Sequence, residues 1–459
     1  MHLQYRFLYI MASLFYFACP VHAQQSDSLA VRKLVNEIMT NGAAYENLRQ
    51  LCSFGPRLSG SSGAENAVQL TQKMLRDAGA DTTWLQPCKV THWVRGNPEK
   101  GYLETSDGIR HELRLSALGN SVGSGDKPVC AELVEVTSFS QLKELGEKKL
   151  RGRIVFFNLA MDPTKIHTFR AYGESGVGRR SGPSQAARYG AIGVIVRSLA
   201  SNVDPYPHTG ATMYNDSFPK IPAVAISTED AEWAHRQLQA GRSLHACFSS
   251  GAMIYDDVMS ANVIGEIRGS LYPEEIITVG GHLDSWDLGQ GAHDDGAGCV
   301  QAIEIIRTFK ALGIHPKRTI RAVMFMNEEN GTKGAKAYLD SAIARREKHL
   351  FALESDDGGF SPRGFFFEVP DPVFQKISRW KPLLMEYGLY EFALGGSGSD
   401  IGYLEKIGTN LAGLNTDSQR YFDVHHAATD RFEAVSRREL HLGAAAMIAL
   451  VWLVSEYGL

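Results

Sequence analysis

The chain has 459 residues, 44% of them hydrophobic and 21% charged, with a formal net charge of -4. That length exceeds one simple domain, and the composition is that of a globular protein able to bury a sizeable core. No basic stripe and no basic–aromatic interleaving occurs, which argues against a nucleic-acid partner.

The N-terminus carries Arg6, an apolar run over 7–18, and then Val21-His22-Ala23. This pattern predicts a secretory signal peptide over 1–23, cut after Ala23, and a secreted or periplasmic product. The run is short for a bilayer span, and no second run of spanning length is expected, so the mature chain is predicted to have no membrane span. Leu29, Leu34, Val35 and Ile38 predict a helix over 29–39, stopped at Asn41-Gly42. Residues 54–61, rich in Gly, Pro and Ser, read as a loop. Ala67, Leu70, Met74 and Leu75 then predict a helix over 64–78 that ends at Gly79.

From 129 to 248 the texture changes. Short apolar strands are predicted at 154–157, 194–196 and 224–226, with helices at 184–189 and 228–240. This reads as a compact α/β unit over 126–255, inserted between 24–125 and 256–459, with connections at 119–125 and 249–252. From 262 onward, strands at 276–279, 319–326 and 350–353 alternate with helices at 296–312 and 440–454. Strands apolar on both faces that alternate with helices predict an α/β fold, a mixed, mostly parallel sheet flanked by helices. Cys19 leaves with the signal peptide, and Cys52, Cys88, Cys130, Cys247 and Cys299 remain. None has zinc-finger spacing, so a thiolate metal site is not expected. An exported chain can form disulfides. The odd number leaves at least one thiol unpaired; Cys299, on an apolar helix face, is expected to be buried, and the other pairings stay open.

Acidic and histidine residues stand where strands end. The strand at 276–279 runs into His282-Leu283-Asp284, the next into Glu328-Glu329, and the third into Asp356-Asp357. In an open α/β sheet ligands bind beyond the carboxyl ends of the strands. Three segments therefore bring carboxylates and an imidazole to one edge, where a divalent cation offsets their repulsion. Asp284 can orient the ring of His282. Asp294 and Asp295, among glycines at a helix start, can cap the helix or serve a site. Of Glu328 and Glu329, one can bind metal while the other acts as general base. His426 with Asp430 forms a second His–Asp pair of the same type. Such N and O ligands suit zinc, with manganese or cobalt borderline, and two metals can share one bridging carboxylate.

Taken together, GGHLDSWD, GAHDDGAG, NEENG, ESDDGG and HHAATD resemble the co-catalytic zinc exopeptidases related to aminopeptidase Y and glutamate carboxypeptidase, in particular the plasma glutamate carboxypeptidase (carboxypeptidase Q) branch. Residues 207–228, PHTGATMYNDSFPKIPAVAIST, resemble part of a protease-associated domain. The resemblance implies the zinc exopeptidase fold, with a catalytic domain in two parts (24–125 and 256–459) around that inserted domain. It implies two zinc ions per chain: His282 and Asp356 on one, Glu329 and His426 on the other, and Asp294 bridging them, with the Asp294–Asp295 bond often cis. His426 rather than His425 fits because Asp430 lies four residues on. Glu328 matches the general acid/base and Asp284 the partner of His282. Ser397, Ser399 and Asp400 match a substrate-pocket loop, and Tyr421 and His425 either assist the oxyanion or pack. Dipeptides or short peptides, cut from a terminus through a water held between the metals, are the implied substrates, and a homodimer the implied assembly. A glutaminyl-cyclase-like zinc enzyme, a non-catalytic binding relative, and an adhesin using the inserted domain are the rival readings.

Overall fold

The structure is a computed structural model in which residues 25–459 are described. The expected signal peptide at 1–23 lies outside the described residues. Residues 25–41 are helical. Helices Ala44–Cys52 and Ser62–Asp77 follow. The second is capped by Ser61, whose hydroxyl accepts from the Ala64 N–H at 3.1 Å.

Sixteen strands come next in chain order: β1 (Thr82–Val94), β2 (Lys100–Thr105), β3 (Arg110–Glu112), β4 (Leu115–Ala117), β5 (Val129–Val136), β6 (Ile154–Phe157), β7 (Gly193–Arg197), β8 (Ala223–Ile226), β9 (Leu244–Ser249), β10 (Met253–Ile267), β11 (Tyr272–His282), β12 (Arg318–Phe325), β13 (Lys348–Glu354), β14 (Pro362–Glu368), β15 (Glu391–Leu394) and β16 (Asn410–Thr416). They form two eight-stranded sheets, ordered β1-β10-β12-β11-β13-β16-β14-β15 and β3-β2-β9-β5-β6-β7-β8-β4. Both are mixed. In the first, β12, β11, β13 and β16 are mutually parallel, β10 and β14 pair antiparallel with them, and β1 pairs antiparallel with β10.

Register places the functional edge. His282 at the end of β11 stands opposite Phe325 at the end of β12, and Gly280 stands opposite Glu354 at the end of β13. The three segments that follow these strands therefore leave the sheet side by side. Every residue of β12 is buried, and its alternate side chains serve two cores. Ala322 and Met324 face the helices Ala297–Ala311 and Arg437–Tyr457, while Val323 and Phe325 face Ala335, Leu339, Ile401 and Leu404.

The C-terminal helix corrects one expectation. Arg437–Tyr457 is, by length and composition, a run able to cross a bilayer. Fifteen of its 21 residues are buried against the rest of the protein, so its apolar surface is used up in the core.

The second sheet also has a core on each face: Val155, Phe157, Val194 and Val196 on one side, and Ile154, Phe156, Ile195 and Val224 on the other. A disulfide joins Cys130 on β5 to Cys247 on β9, while Cys52, Cys88 and Cys299 are buried free thiols. This sheet recruits β2, β3 and β4 from the segment N-terminal to 126. The helix expected at 184–189 spans Val177–Ala187 and is preceded by another at Thr168–Ser175. Its sequence, VGRRSGPSQAA, has little helical propensity and contains Pro183. Packing decides instead: Gly182 sits so close to Phe157 that a Cβ there would lie 2.9 Å from the ring.

Candidate metal centre

Four of the side chains, His282, Asp294, Glu329 and Asp356, come from the edge set by β11, β12 and β13. His282 ends β11; its ring Nε2 lies 3.1 Å from Asp294 Oδ1 and 3.3 Å from Asp356 Oδ1. His426 arrives from a distant loop, with its Nε2 3.3 Å from Asp294 Oδ2 and 3.2 Å from Glu329 Oε2. The two oxygens of Asp294 thus face two different imidazoles, and each imidazole has a further carboxylate beside it. His282, Asp294 and Glu329 are buried, while Asp356 and His426 keep part of their surface open. His425 and Asp295 reach the same cluster: the ligand atoms of Asp294, His425 and His426 lie within 4.8 Å of one another, as do those of His282, Asp295 and Asp356.

The hydrogen bonds of the two rings show what the cluster fits. His282 Nδ1 is 2.9 Å from the Asp284 backbone carbonyl, and His426 Nδ1 is 3.2 Å from the Thr209 carbonyl. A carbonyl only accepts, so each Nδ1 carries the proton and donates. A neutral ring then turns the lone pair of Nε2 toward carboxylate oxygens, which are acceptors too. Asp294 Oδ2 is buried and has no hydrogen-bond donor. Acceptors gathered against acceptors fit cations between them.

The proton affinities follow the same charges. Burial opposes charge on the His282 ring, yet Asp356 and Asp294 hold its pKa well above the imidazole range. Burial likewise opposes charge on His426, and Glu329 and Asp294 raise its pKa well above that range. Glu329 is pushed up to about 8 by burial and by the charge of Asp294. Asp356 rises to about 6, from burial with Glu328 nearby. Acids crowded in this way hold protons until a cation replaces them.

The backbone around these groups is held by other acids. Asp295 accepts from the N–H of His282 at 3.0 Å and of Gly298 at 2.9 Å. Gly298 permits this: a Cβ there would sit 1.9 Å from the Ser355 carbonyl. The Asp294–Asp295 peptide bond is cis. The Asp284 carboxylate stands 3.9 Å from His282 Nδ1, whose partner is the Asp284 carbonyl instead. That carboxylate accepts from the N–H groups of Asn327 at 2.7 Å and Glu328 at 3.0 Å, and so orients the turn bearing Glu328 and Glu329. Glu328 itself is half-buried. Asp430 does not pair with His426, as the sequence reading expected. Its oxygens accept from the N–H of His293 at 2.7 Å and of Asp294 at 3.1 Å, because these buried N–H groups claim them as acceptors.

The other singled-out residues fall around the rim. The Tyr421 hydroxyl donates to the Asp356 carbonyl at 3.3 Å, and the His425 ring stacks on His426 at 3.6 Å. Ser397 donates to Glu368 at 3.1 Å, and Ser399 is exposed. The N–H groups of Asp400 and Ile401 donate to Glu354, which ties the loop 395–400 to the end of β13. The carboxylate of Asp400 is buried without a donor, and burial beside Glu354 and Glu328 raises its pKa well above normal.

Residues 262–451 match the pattern of Peptidase family M28. Carboxypeptidase Q of Bos taurus is 35% identical over 415 residues, which span 90% of this chain and 84% of the relative. The chain belongs to peptidase family M28. Carboxypeptidase Q of Homo sapiens is 34% identical over 415 residues, 90% of this chain and 84% of its own length. The structure of a peptidase M28 precursor from Shewanella amazonensis SB2B superposes with a TM-score of 0.89 at 28% identity, covering 94% of this chain and 97% of the other. A zinc aminopeptidase from Bacillus subtilis shares the fold, with a TM-score of 0.64 at 19% identity over 90% of this chain and 94% of its own.

As a member of M28, the protein is a metallopeptidase. Several residues that shape its centre escaped the sequence reading. Arg57, in a segment read only as a loop, is fully buried and donates to the carbonyls of Leu283, Gln290 and Gly291. The backbone N–H of Trp286 donates to Glu329 Oε1 at 3.2 Å, so that Oε2 is the oxygen facing His426. Ser59 contacts Asp284 and Asn330. The signal for Arg57 was present in the chain, as an arginine between Gly-Pro and an apolar residue in an otherwise uncharged loop.

Proposed function

We propose that this M28 metallopeptidase is a zinc exopeptidase that releases residues from a terminus of dipeptides or short peptides. His282 and Asp356 would hold one zinc ion, Glu329 and His426 a second, and Asp294 both. The observation that carries this reading is the division of the two Asp294 oxygens between His282 and His426. When bound, the zinc ions supply Lewis acidity and make water acidic enough to ionise near neutral pH.

The chain's own groups do the rest. Glu328, on a turn oriented by Asp284, takes the proton of the attacking water and later returns it to the leaving amine. Asp284 acts by holding that turn, and the Asp284 carbonyl holds the His282 ring. Ser397, Ser399 and Asp400 would line the substrate side, with Tyr421 and His425 against the developing oxyanion. Residues 24–125 and 256–459 form the catalytic part, and 126–255, joined by β2–β4, the inserted protease-associated unit that limits substrate length. The Cys130–Cys247 bond supports export into an oxidising compartment. Assembly as a homodimer belongs to the same reading.

Zinc-loaded protein incubated with a peptide library and read by mass spectrometry tests the proposal. Hydrolysis from one terminus is expected. Glu328→Gln should lower it by about 10²–10⁴-fold while metal content stays at the wild-type level. Cyclised glutaminyl peptides in place of cleavage products would overturn the reading.

A further inference from the structure

The two imidazoles of the centre are oriented by different parts of the molecule. The ring of His282 donates to the carbonyl of Asp284, two residues along the same segment. The ring of His426 donates to the carbonyl of Thr209, 217 residues away, in a loop between β7 and β8 of the second sheet. The contact is built on both sides. The Thr209 N–H donates to the His426 carbonyl at 3.0 Å, and His208 Nδ1 lies 2.7 Å from the His425 carbonyl. The segment 208–209 therefore grips 425–426 along the backbone.

One side chain pins the carbonyl that does the orienting. Arg179, on the helix Val177–Ala187, is buried and, among the described residues, has no carboxylate partner. Its Nη1 donates to the Thr209 carbonyl at 3.2 Å and lies 3.3 Å from His426 Nδ1; its Nη2 donates to the Tyr172 hydroxyl at 2.6 Å. A carbonyl oxygen has two lone pairs, so it can accept from the guanidinium and from the imidazole together. The Tyr172 ring in turn packs on Phe422 and, edge-on, on His425. Gly210 leaves the space for this arrangement: a Cβ there would lie 2.4 Å from Arg179 Nη1 and 2.7 Å from His426 Nδ1.

We infer that Arg179 and the Thr209–Gly210 backbone are positioning groups for His426, so that one metal position is complete only when the second-sheet unit is seated, while the position at His282 is complete without it. This rests on the two-zinc reading above. Groups that orient a ligand histidine commonly change metal affinity 10–100-fold when removed.

The test is zinc occupancy of the full chain, titrated against a buffered chelator at fixed pH, with circular dichroism and thermal melting to follow folding. Arg179→Met keeps bulk and loses the donors; Gly210→Ala places a methyl between the guanidinium and the ring. Each should weaken one of two zinc ions by about 10–100-fold and leave the other at wild-type affinity. Arg179→Lys, which keeps one donor and the charge, should recover part of the loss. As a control, Cys130→Ser with Cys247→Ser loosens the second sheet at β5 and β9, outside the Arg179 and 208–210 contact; it should lower the melting temperature and leave both affinities unchanged. Folded Arg179→Met and Gly210→Ala proteins that hold two zinc ions at wild-type affinity would overturn the inference. So would loss of both ions in parallel, matched by the disulfide-free control. Wild-type protein that binds a single zinc would instead overturn the two-zinc reading itself.

Discussion

The carboxylate of Asp430 accepts hydrogen bonds from two successive backbone N–H groups, those of His293 and Asp294, and thereby fixes the backbone that presents the Asp294 carboxylate. Burial pushes its pKa up to about 7, against the pull of those donors. Asp430→Ala leaves both buried N–H groups without an acceptor, at about 1–3 kcal/mol each. A lower denaturation midpoint and weaker zinc binding are the expected outcome, with Asp430→Asn between the variant and wild type. At this scale the fold brings His282, Asp294, Glu329, Asp356 and His426 within hydrogen-bonding distance; their places after strands offered His282 and one acid of each pair, and the choice within the pairs, with Asp294 and His426, rested on the family resemblance. Their orienting partners were less legible. His282 and His426 are both held by backbone carbonyls, and a carbonyl belongs to every residue, so no side-chain pattern marks it.

Among the elements, Arg57 staples the loop 283–291 to the segment before the helix Ser62–Asp77, by donating to three of its carbonyls. Arg57→Met should destabilise the protein by roughly 2–4 kcal/mol, because buried acceptors lose charged donors, and Arg57→Lys should recover little, since one ammonium cannot span three carbonyls. Chemical denaturation of the three proteins measures both. A second network joins three strands. Arg321 on β12 donates to Glu266 on β10 at 3.1 Å and to Glu347 beside β13 at 2.8 Å, and His349 lies 3.2 Å from Glu347. Burial raises the Glu347 pKa, but His349 and Arg321 outweigh it and bring the value to about 2. A depressed carboxyl stabilises the fold fully above its ordinary value of 4.5 and loses that contribution as pH falls toward 2. Glu347→Gln should therefore lower the melting temperature at pH 7, and the gap to wild type should narrow steadily below pH 4.5. A gap independent of pH would sink this account of the network.

For the molecule as a whole, the disulfide closes a loop of 117 residues around most of the second sheet. Replacing both cysteines should cost about 2–4 kcal/mol of stability, seen as earlier melting of the chain under non-reducing conditions. The long pairing of β1 with β10 illustrates what the chain conceals at this scale. Met253–Ile267 begins with exposed residues that include Asp256 and Asp257, so no apolar run announced a strand, and its partner lies some 170 residues earlier in the chain. By itself the sequence determined the parallel α/β pattern and the chemistry at its strand ends, because both are written in short local stretches: apolar strand, acidic or histidine turn, helix. Only the tertiary structure decided that β2–β4 join the second sheet, that the C-terminal helix lies in the core, and that a loop of the second unit orients His426. Each of these depends on which distant surface a segment meets, and many surfaces are compatible with the same local residues.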